Sequence, residues 1–273
     1  MRHANAASPV RWRCYDCFHG MRQGACAGGI AVVIDVLRAS TTIITALAHG
    51  ADRVRPVLTV EEARALAGGA GVLLGGERGG LKIDGFDLGN SPREYTRDRV
   101  GGRSIVITTT NGTAALHACT GAIGVLIGAI VNRSAVAAAA HALAREHGGC
   151  DVHLVCAGTE GAVTEEDLLA AGAILDAAVQ DHGCGEDALD ATGREALRFF
   201  RATVAAGPTA AQAIAREFAS SIGGRNLIEL GMDADLPVSA AIDSLPVVPR
   251  LGGPEQGGFV CLGQAHGTQA RNR

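Results

Sequence analysis

A chain of 273 residues that is 47% hydrophobic and 19% charged holds enough apolar material for one large α/β domain or two closely packed lobes, and its composition excludes disorder. The formal charge of −4 gives no electrostatic reason to expect a nucleic-acid partner. No apolar run approaches the roughly 20 residues of a membrane span, and Met1–Arg13 lacks an apolar signal core, so no membrane partner and a cytoplasmic location are expected.

With aromatics at 3%, the core must be built from Ala, Val, Leu and Ile, which suits parallel strands under closely packed helices. Eight cysteines in a reducing compartment read as free thiols. Cys14-x-x-Cys17 with Cys26 nearby falls short of the four ligands a structural zinc needs, and buried thiols are the better reading.

The first strand expected is Ile30–Asp35, a β-branched run ending in a carboxylate. Ser40 reads as the cap of a helix through Thr41–His49. Arg53–Leu58 is a second strand, and Thr59 with Glu62 marks a capping box for the next helix. Val72–Leu74 is a short strand that enters a glycine-rich loop, Gly75–Asn90. Beyond it come a strand at Ser104–Ile107, a helix at Gly112–Cys119 and a strand at Gly124–Ile127. A helix at Ser134–Glu146 follows, capped by Asn132 or Ser134, and then a strand at Asp151–Cys156. Thr164–Gln180 is a helix whose Thr164–Asp167 spacing fits a capping box. Asp187–Ala205 and Thr209–Ser220 read as successive helices around Gly207-Pro208, and a last strand is expected at Leu245–Val248.

This alternation predicts a three-layer α/β/α sandwich with a largely parallel sheet. The boundaries expected are an α/β domain over 1–249 and a flexible tail over 250–273. In such sheets ligands sit outside the carboxyl ends of the strands. Asp35, Gly75–Glu77, Thr108–Thr113 and Ala157–Glu165 all follow strands and are therefore candidates to line one crevice.

Four segments carry the chemistry. Asp35-Val36-Leu37-Arg38 offers a carboxylate for Mg²⁺ and a guanidinium for a phosphate, against the alternative of an internal Asp35–Arg38 ion pair. A haloacid-dehalogenase mechanism would need a second Asp at position 37, which is Leu. Gly75–Asn90 packs six glycines around Glu77, Asp84, Asp87, Arg78 and Lys82, the only lysine in the chain. A loop so costly in backbone entropy points to close approach of a ligand. Thr109, Thr110, Asn111, Gly112 and Thr113 lead from a strand into a helix, a seat for phosphate, with ordinary capping as the bland alternative. Glu160, Glu165, Glu166 and Asp167 cluster at the start of a later helix, where they either complement its dipole or serve as base or ligand. Arg225 and Asn226 offer a further anion contact. The histidines form no evident triad.

The runs VVIDVLRASTTIITALAHGA, LLGGERGGLKIDGFDLGNSP, TTTNGT and VCAGTEGAVTEEDLLAAGAIL, followed by GGRNLIELGMDADL and VVPRL, resemble the 2-phosphosulfolactate phosphatase family in the same order. The resemblance implies a Mg²⁺-dependent phosphoric monoester hydrolase acting on 2-phospho-3-sulfolactate, a step toward coenzyme M. Two departures bear on the substrate. Gly223 stands where the family tends to carry His, and Val238-Ser239-Ala240 replaces Phe-Cys-Ala.

Combined with the residues, the resemblance gives a scheme. Asp35 and Glu77 hold the metal. Arg38 and the Thr109–Thr113 segment take phosphoryl oxygens, with Asn90 nearby. Glu160 or Glu165 acts as base, and Arg78, Lys82 and Arg225 select a small acidic ester. A different 2-phospho-hydroxy-acid substrate, a non-catalytic anion-binding module and homo-oligomerisation stay open at this point.

Overall fold

The central strands are continuous apolar runs rather than alternating ones, because helices cover both faces of the sheet. The computed structural model describes residues 9–68, 71–252 and 258–262. Its strands are β1 (Trp12–Tyr15), β2 (Ile30–Ile34), β3 (Arg53–Pro56), β4 (Val72–Arg78), β5 (Leu81–Lys82), β6 (Ser104–Thr108), β7 (Gly124–Gly128), β8 (Val152–Cys156), β9 (Pro249–Leu251) and β10 (Val260–Leu262). They form one sheet in the order β1-β8-β2-β7-β9-β10-β3-β6-β4-β5.

Two parallel runs make up most of it. β1, β8, β2 and β7 form the first, and β3, β6 and β4 the second. The pair β9–β10 joins them through antiparallel contacts to β7 and β3, and β5 folds back antiparallel on β4. The sheet is thus largely parallel with a hairpin-like splice at its middle. The strands Pro249–Leu251 and Val260–Leu262, which fall almost wholly in the stretch read from sequence as a tail, supply that splice. The poor apolar periodicity of that stretch reflects strands of only three residues, with the expected strand at Leu245–Val248 displaced to Pro249–Leu251. Residues 263–273 lie outside the described residues.

The helices are α1 (Ala39–Ala48), α2 (Val60–Ala65), α3 (Arg97–Val100), α4 (Gly112–Ala118), α5 (Arg133–Glu146), α6 (Glu165–Asp181), α7 (Ala191–Ala205), α8 (Ala210–Ser220), α9 (Ile222–Glu229) and α10 (Asp235–Ser239). α5 packs on β2 and β7, while α6 packs on β2 and β8 and against α7. α1 and α4 meet β2, β3 and β7, and α2 lies on β6. The result is a three-layer α/β/α arrangement. Every side chain of β2, β7 and β8 is buried.

Local signals set most helix starts. Thr59 accepts the Glu62 amide at 3.0 Å, and Glu62 returns a carboxylate to the Leu58 amide at 3.3 Å, close to the expected capping box. Three other caps are not as the sequence suggests. α1 begins at Ala39, whose amide donates to Asp35 Oδ1 at 3.1 Å, while Ser40 lies inside the helix and its hydroxyl accepts the Asp35 amide. Asn132 turns inward to the amide of Ala129 and the carbonyls of Ile127 and Val247. Asp167 turns away from Thr164, whose hydroxyl finds no partner, and binds two backbone amides elsewhere. Ser40 is drawn back to the end of β2, and Asn132 and Asp167 each gain a partner more than a hundred residues away.

The cysteines are free thiols. Cys14 lies against Cys156 and Cys26 against Cys119, which separates the three cysteines of the amino-terminal segment into different environments.

Candidate active site

A cavity of about 360 Å³ opens where strand ends from both parallel runs meet. Asp35 follows β2 and Gly158–Glu160 follow β8. Glu77 ends β4, Thr110 and Asn111 follow β6, and α9 closes the remaining side with Asn226 and Glu229. The four segments singled out from sequence as strand-end candidates therefore do share one crevice.

Asp35 forms its floor. Oδ1 takes the Ala39 amide, while Oδ2 sits beside the bare α-carbon of Gly112, where a β-carbon would come within 2.6 Å. A glycine at 112 is thus required for α4 to approach this carboxylate. Burial pushes Asp35 up to about 7, and the charges of Glu77 and Glu166 add to the rise against the Ala39 amide and Arg38. A carboxyl poised near neutrality at the bottom of a cavity marks a functional site.

Glu77 faces it from β4. The backbone there comes close to β6: a β-carbon on Gly76 (φ 138°) would lie 2.0 Å from the Thr108 carbonyl oxygen. That glycine lets β4 run on past Leu74, where the sequence suggested a loop. Glu77 Oε1 accepts the Thr110 amide at 2.7 Å and its hydroxyl at 3.0 Å, and Oε2 accepts the Gly80 amide at 2.8 Å. Arg38 is buried at 3% exposure and donates to Asp235 Oδ2 at 2.8 Å and to the Gly80 carbonyl at 2.8 Å. Its ion-pair partner is therefore Asp235, not Asp35. The Ser91 hydroxyl donates to the other Asp235 oxygen at 2.6 Å.

The first turn of α6 makes the third side. Asp167 Oδ1 accepts the Val36 amide at 2.8 Å and Oδ2 the Gly158 amide at 3.0 Å, bracing the chain after β2 against the chain after β8. Burial raises its carboxyl well above the ordinary value, and the charges of Asp35 and Glu166 raise it further. Glu166 is likewise raised, first by burial. Its Oε1 accepts the Gly223 amide at 3.1 Å.

Among the residues proposed from sequence, Asp35, Arg38, Glu77, Asn90, Thr110, Asn111 and Glu160 line the cavity. Glu160 is exposed there on left-handed backbone (φ 51°). Thr109 and Thr113 do not. The Thr109 hydroxyl accepts the Thr113 amide and the Thr113 hydroxyl donates to the Thr109 carbonyl, so both are spent on each other, while Asn111, at the N-cap of α4, makes no side-chain capping bond. Glu165 is exposed and outside the lining, as are Lys82, Arg78 and Arg225. Arg78 spends its guanidinium on Thr108 Oγ1 and the carbonyls of Glu77 and Leu58, and Arg225 bonds the Ser220 carbonyl.

Sequence reasoning gave Glu166 only a role shared with its acidic neighbours, read Asp167 also as part of a capping box, noted Gly223 only as a departure from the family, and gave Asp235 no role. For Glu166 a signal existed, since it shares a helix face with Ala170 and Ala173, both buried, which turns it inward. Asp235 has none, because its partner lies 197 residues away in the chain.

Fold and cavity define an α/β protein whose strand ends bring carboxylates, hydroxyls and one guanidinium to a small polar ligand. A profile of the 2-phosphosulpholactate phosphatase family matches residues 18–254. A probable 2-phosphosulfolactate phosphatase of Symbiobacterium thermophilum is 42% identical over 82% of this chain and 91% of its own length. Proteins of the same name from Deinococcus radiodurans (41% identical, 81% and 87% covered) and Synechococcus sp. RCC307 (42%, 82% and 89%) are similar. The chain belongs to the 2-phosphosulpholactate phosphatase family, a family of phosphoric monoester hydrolases. No helix among the described residues is long and apolar enough to cross a membrane.

Proposed function

We propose that the protein hydrolyses 2-phospho-3-sulfolactate to 3-sulfolactate and phosphate, and that it does so with Mg²⁺. The observation that carries this reading is the convergence of family-motif residues from both parallel runs on one cavity floored by Asp35. The donor set fits a hard cation. Every ionisable side chain on the cavity wall apart from Arg38 is a carboxylate, and the Asp35 oxygen that faces Gly112 takes no hydrogen bond from the described residues. Among the described residues no three His, Cys, Asp or Glu side chains are already gathered as a cage. Mg²⁺ is usually held by one or two carboxylates plus water and substrate oxygens.

Asp35 and Glu77 are the residues proposed to hold the ion from opposite walls. When bound, it would neutralise phosphoryl oxygens and lower the cost of charge build-up. The chain's own groups then divide the remaining work. Arg38, fixed by Asp235, and the side chains of Thr110, Asn111 and Asn90 orient the ester. Glu160 is the carboxylate left to take a proton from water. Exposed Lys82 and Arg225 contribute at most a general attraction.

The test is phosphate release from phosphosulfolactate, phospholactate, phosphoglycerate and phosphoglycolate, with Mg²⁺ and after EDTA. Mg²⁺-dependent release with the highest kcat/KM on phosphosulfolactate is expected. Preference for another of the esters would reassign the substrate, undiminished release after EDTA would remove the metal, and no release from any ester would leave an anion-binding module.

A further inference from the structure

Among the described residues, two other than glycine hold left-handed backbone, Asp243 (φ 50°) and Glu160 (φ 51°). Such backbone is strained for any residue with a side chain. Asp243 has an internal reason for it. Its carboxylate accepts the Ser134 amide at 2.8 Å and the Ser134 hydroxyl at 2.7 Å, and it pairs with Arg133. Glu160 is exposed on the cavity wall, and no described residue donates a hydrogen bond to its carboxylate.

The turn that carries Glu160 is a closed two-residue hairpin. The Thr159 amide donates to the Ala162 carbonyl at 3.1 Å and the Ala162 amide to the Thr159 carbonyl at 2.9 Å, with Glu160 and Gly161 (φ 81°) between them. Positive φ at both central positions defines a type I′ turn, which favours Asn, Asp or Gly where Glu160 stands. Residues Glu160 to Val163 are all exposed, so packing does little to hold this turn over the cavity.

Its support comes from the segment after β1, 140 residues earlier in the chain. Cys17 is buried there; its thiol donates to the Ala157 carbonyl at 3.7 Å and lies 3.6 Å from His19 Nδ1. The sulfur fills the space beside Gly158, at the neck of the turn. A β-carbon on Gly158 (φ 65°) would come within 2.9 Å of that sulfur and 2.3 Å of the Ala162 carbonyl oxygen. The His19 ring stands on the outer flank, 4.0 Å from the place of a β-carbon on Gly161, and Phe18 packs on that ring with centroids 4.0 Å apart.

We infer that the brace formed by Cys17 and His19 positions Glu160 for the reaction, with the Cys17 thiol setting the neck of the turn at Gly158. The inference deepens the reading of Glu160 as the acceptor of a proton from water, and it rests on that reading. Neither Cys17 nor His19 lines the cavity, so the brace acts through the turn. A general base works only within hydrogen-bond reach of its proton, and small displacements of the turn carry it out of reach.

The test is a double-mutant cycle on phosphate release from phosphosulfolactate with Mg²⁺. Glu160→Gln should lower kcat by roughly 100-fold or more, the loss expected of a missing general base. Cys17→Ala should lower kcat about tenfold with KM within about twofold of wild type, and Cys17→Ser, which keeps a shorter donor beside Ala157, should fall between the two. On the Glu160→Gln background, Cys17→Ala should change kcat by less than about twofold, because the brace then has no base to position. Amide exchange reads the turn without activity: Thr159 and Ala162 should exchange faster in Cys17→Ala, while the amides of β7 keep their wild-type protection. Should Cys17→Ala fail to fold, Cys17→Ser carries both measurements. A tenfold loss on both backgrounds, or wild-type kcat in Cys17→Ala, overturns this inference alone. Wild-type kcat in Glu160→Gln overturns it together with the reading of Glu160 as base, and leaves the phosphatase reading to the release assay.

Discussion

The two walls of the cavity treat charge in opposite ways. On the β4 side, Glu77 is matched by donors from Thr110 and Gly80, and Arg38 by Asp235 and the Gly80 carbonyl. On the α6 side, Asp35 and Glu166 each take a backbone amide on one oxygen, and burial together with the neighbouring carboxylates raises both, and Asp167, above their ordinary values. A compensated wall gives shape and fixed donors. An uncompensated wall stores a demand for positive charge that a ligand can meet, because a buried carboxylate regains its desolvation cost when a proton or a cation joins it. The first is expected to be stable in any buffer and the second only when loaded.

The largest effect should come from breaking the compensated wall. Asp235→Ala leaves the Arg38 guanidinium buried without its partner and should cost about 3 kcal/mol in urea unfolding. Arg38→Met combined with Asp235→Leu should recover much of that loss, and a double variant no better than the single one would mean that the pair supports more than its own charges.

A middle-sized effect should appear on the other wall as a pH dependence. Asp35 has an ordinary value of 3.8 and is pushed to about 7 when folded, so between these limits the folded chain holds a proton that the unfolded chain has released. Its contribution to stability is full below pH about 4 and is lost as pH rises through about 7, at no more than roughly 1.4 kcal/mol per pH unit. Urea midpoints in EDTA across that window should fall with pH in the wild type and fall less in Asp35→Asn. An unchanged slope in Asp35→Asn would place the titration elsewhere.

The smallest effects should come from outside both walls. Lys82→Ala and Arg225→Ala should stay within about 0.5 kcal/mol of wild type and alter KM by less than about twofold. A tenfold rise in KM, about 1.4 kcal/mol, would put the charged end of the ester out at these side chains.

Much of the fold was legible in the order of residues. The strands β2, β6, β7 and β8 and the helices α1, α5, α6 and α8 follow from apolar runs, helical periodicity and their Gly and Thr punctuation, signals carried within a few residues. The motif residues Asp35, Glu77, Asn90, Thr110, Asn111 and Glu160 were recognisable because strand-end position and glycine content are also local properties. β1, β10, α9 and α10 escaped notice, being short or dependent on distant contacts for their burial.

By itself, the sequence determined an α/β protein of the phosphosulfolactate phosphatase type and the segments that reach its cavity. Only the tertiary structure decided which side chains face in. It turned Arg38 to Asp235 instead of Asp35, spent Arg78 on Thr108 and backbone carbonyls, and tied Thr109 and Thr113 to each other. It also brought Gly223 against Glu166, and that last contact could not be read in advance. Whether a carboxylate is satisfied depends on donors 57 residues away in the chain, and pairing across such distances is set by packing, not by neighbours in sequence.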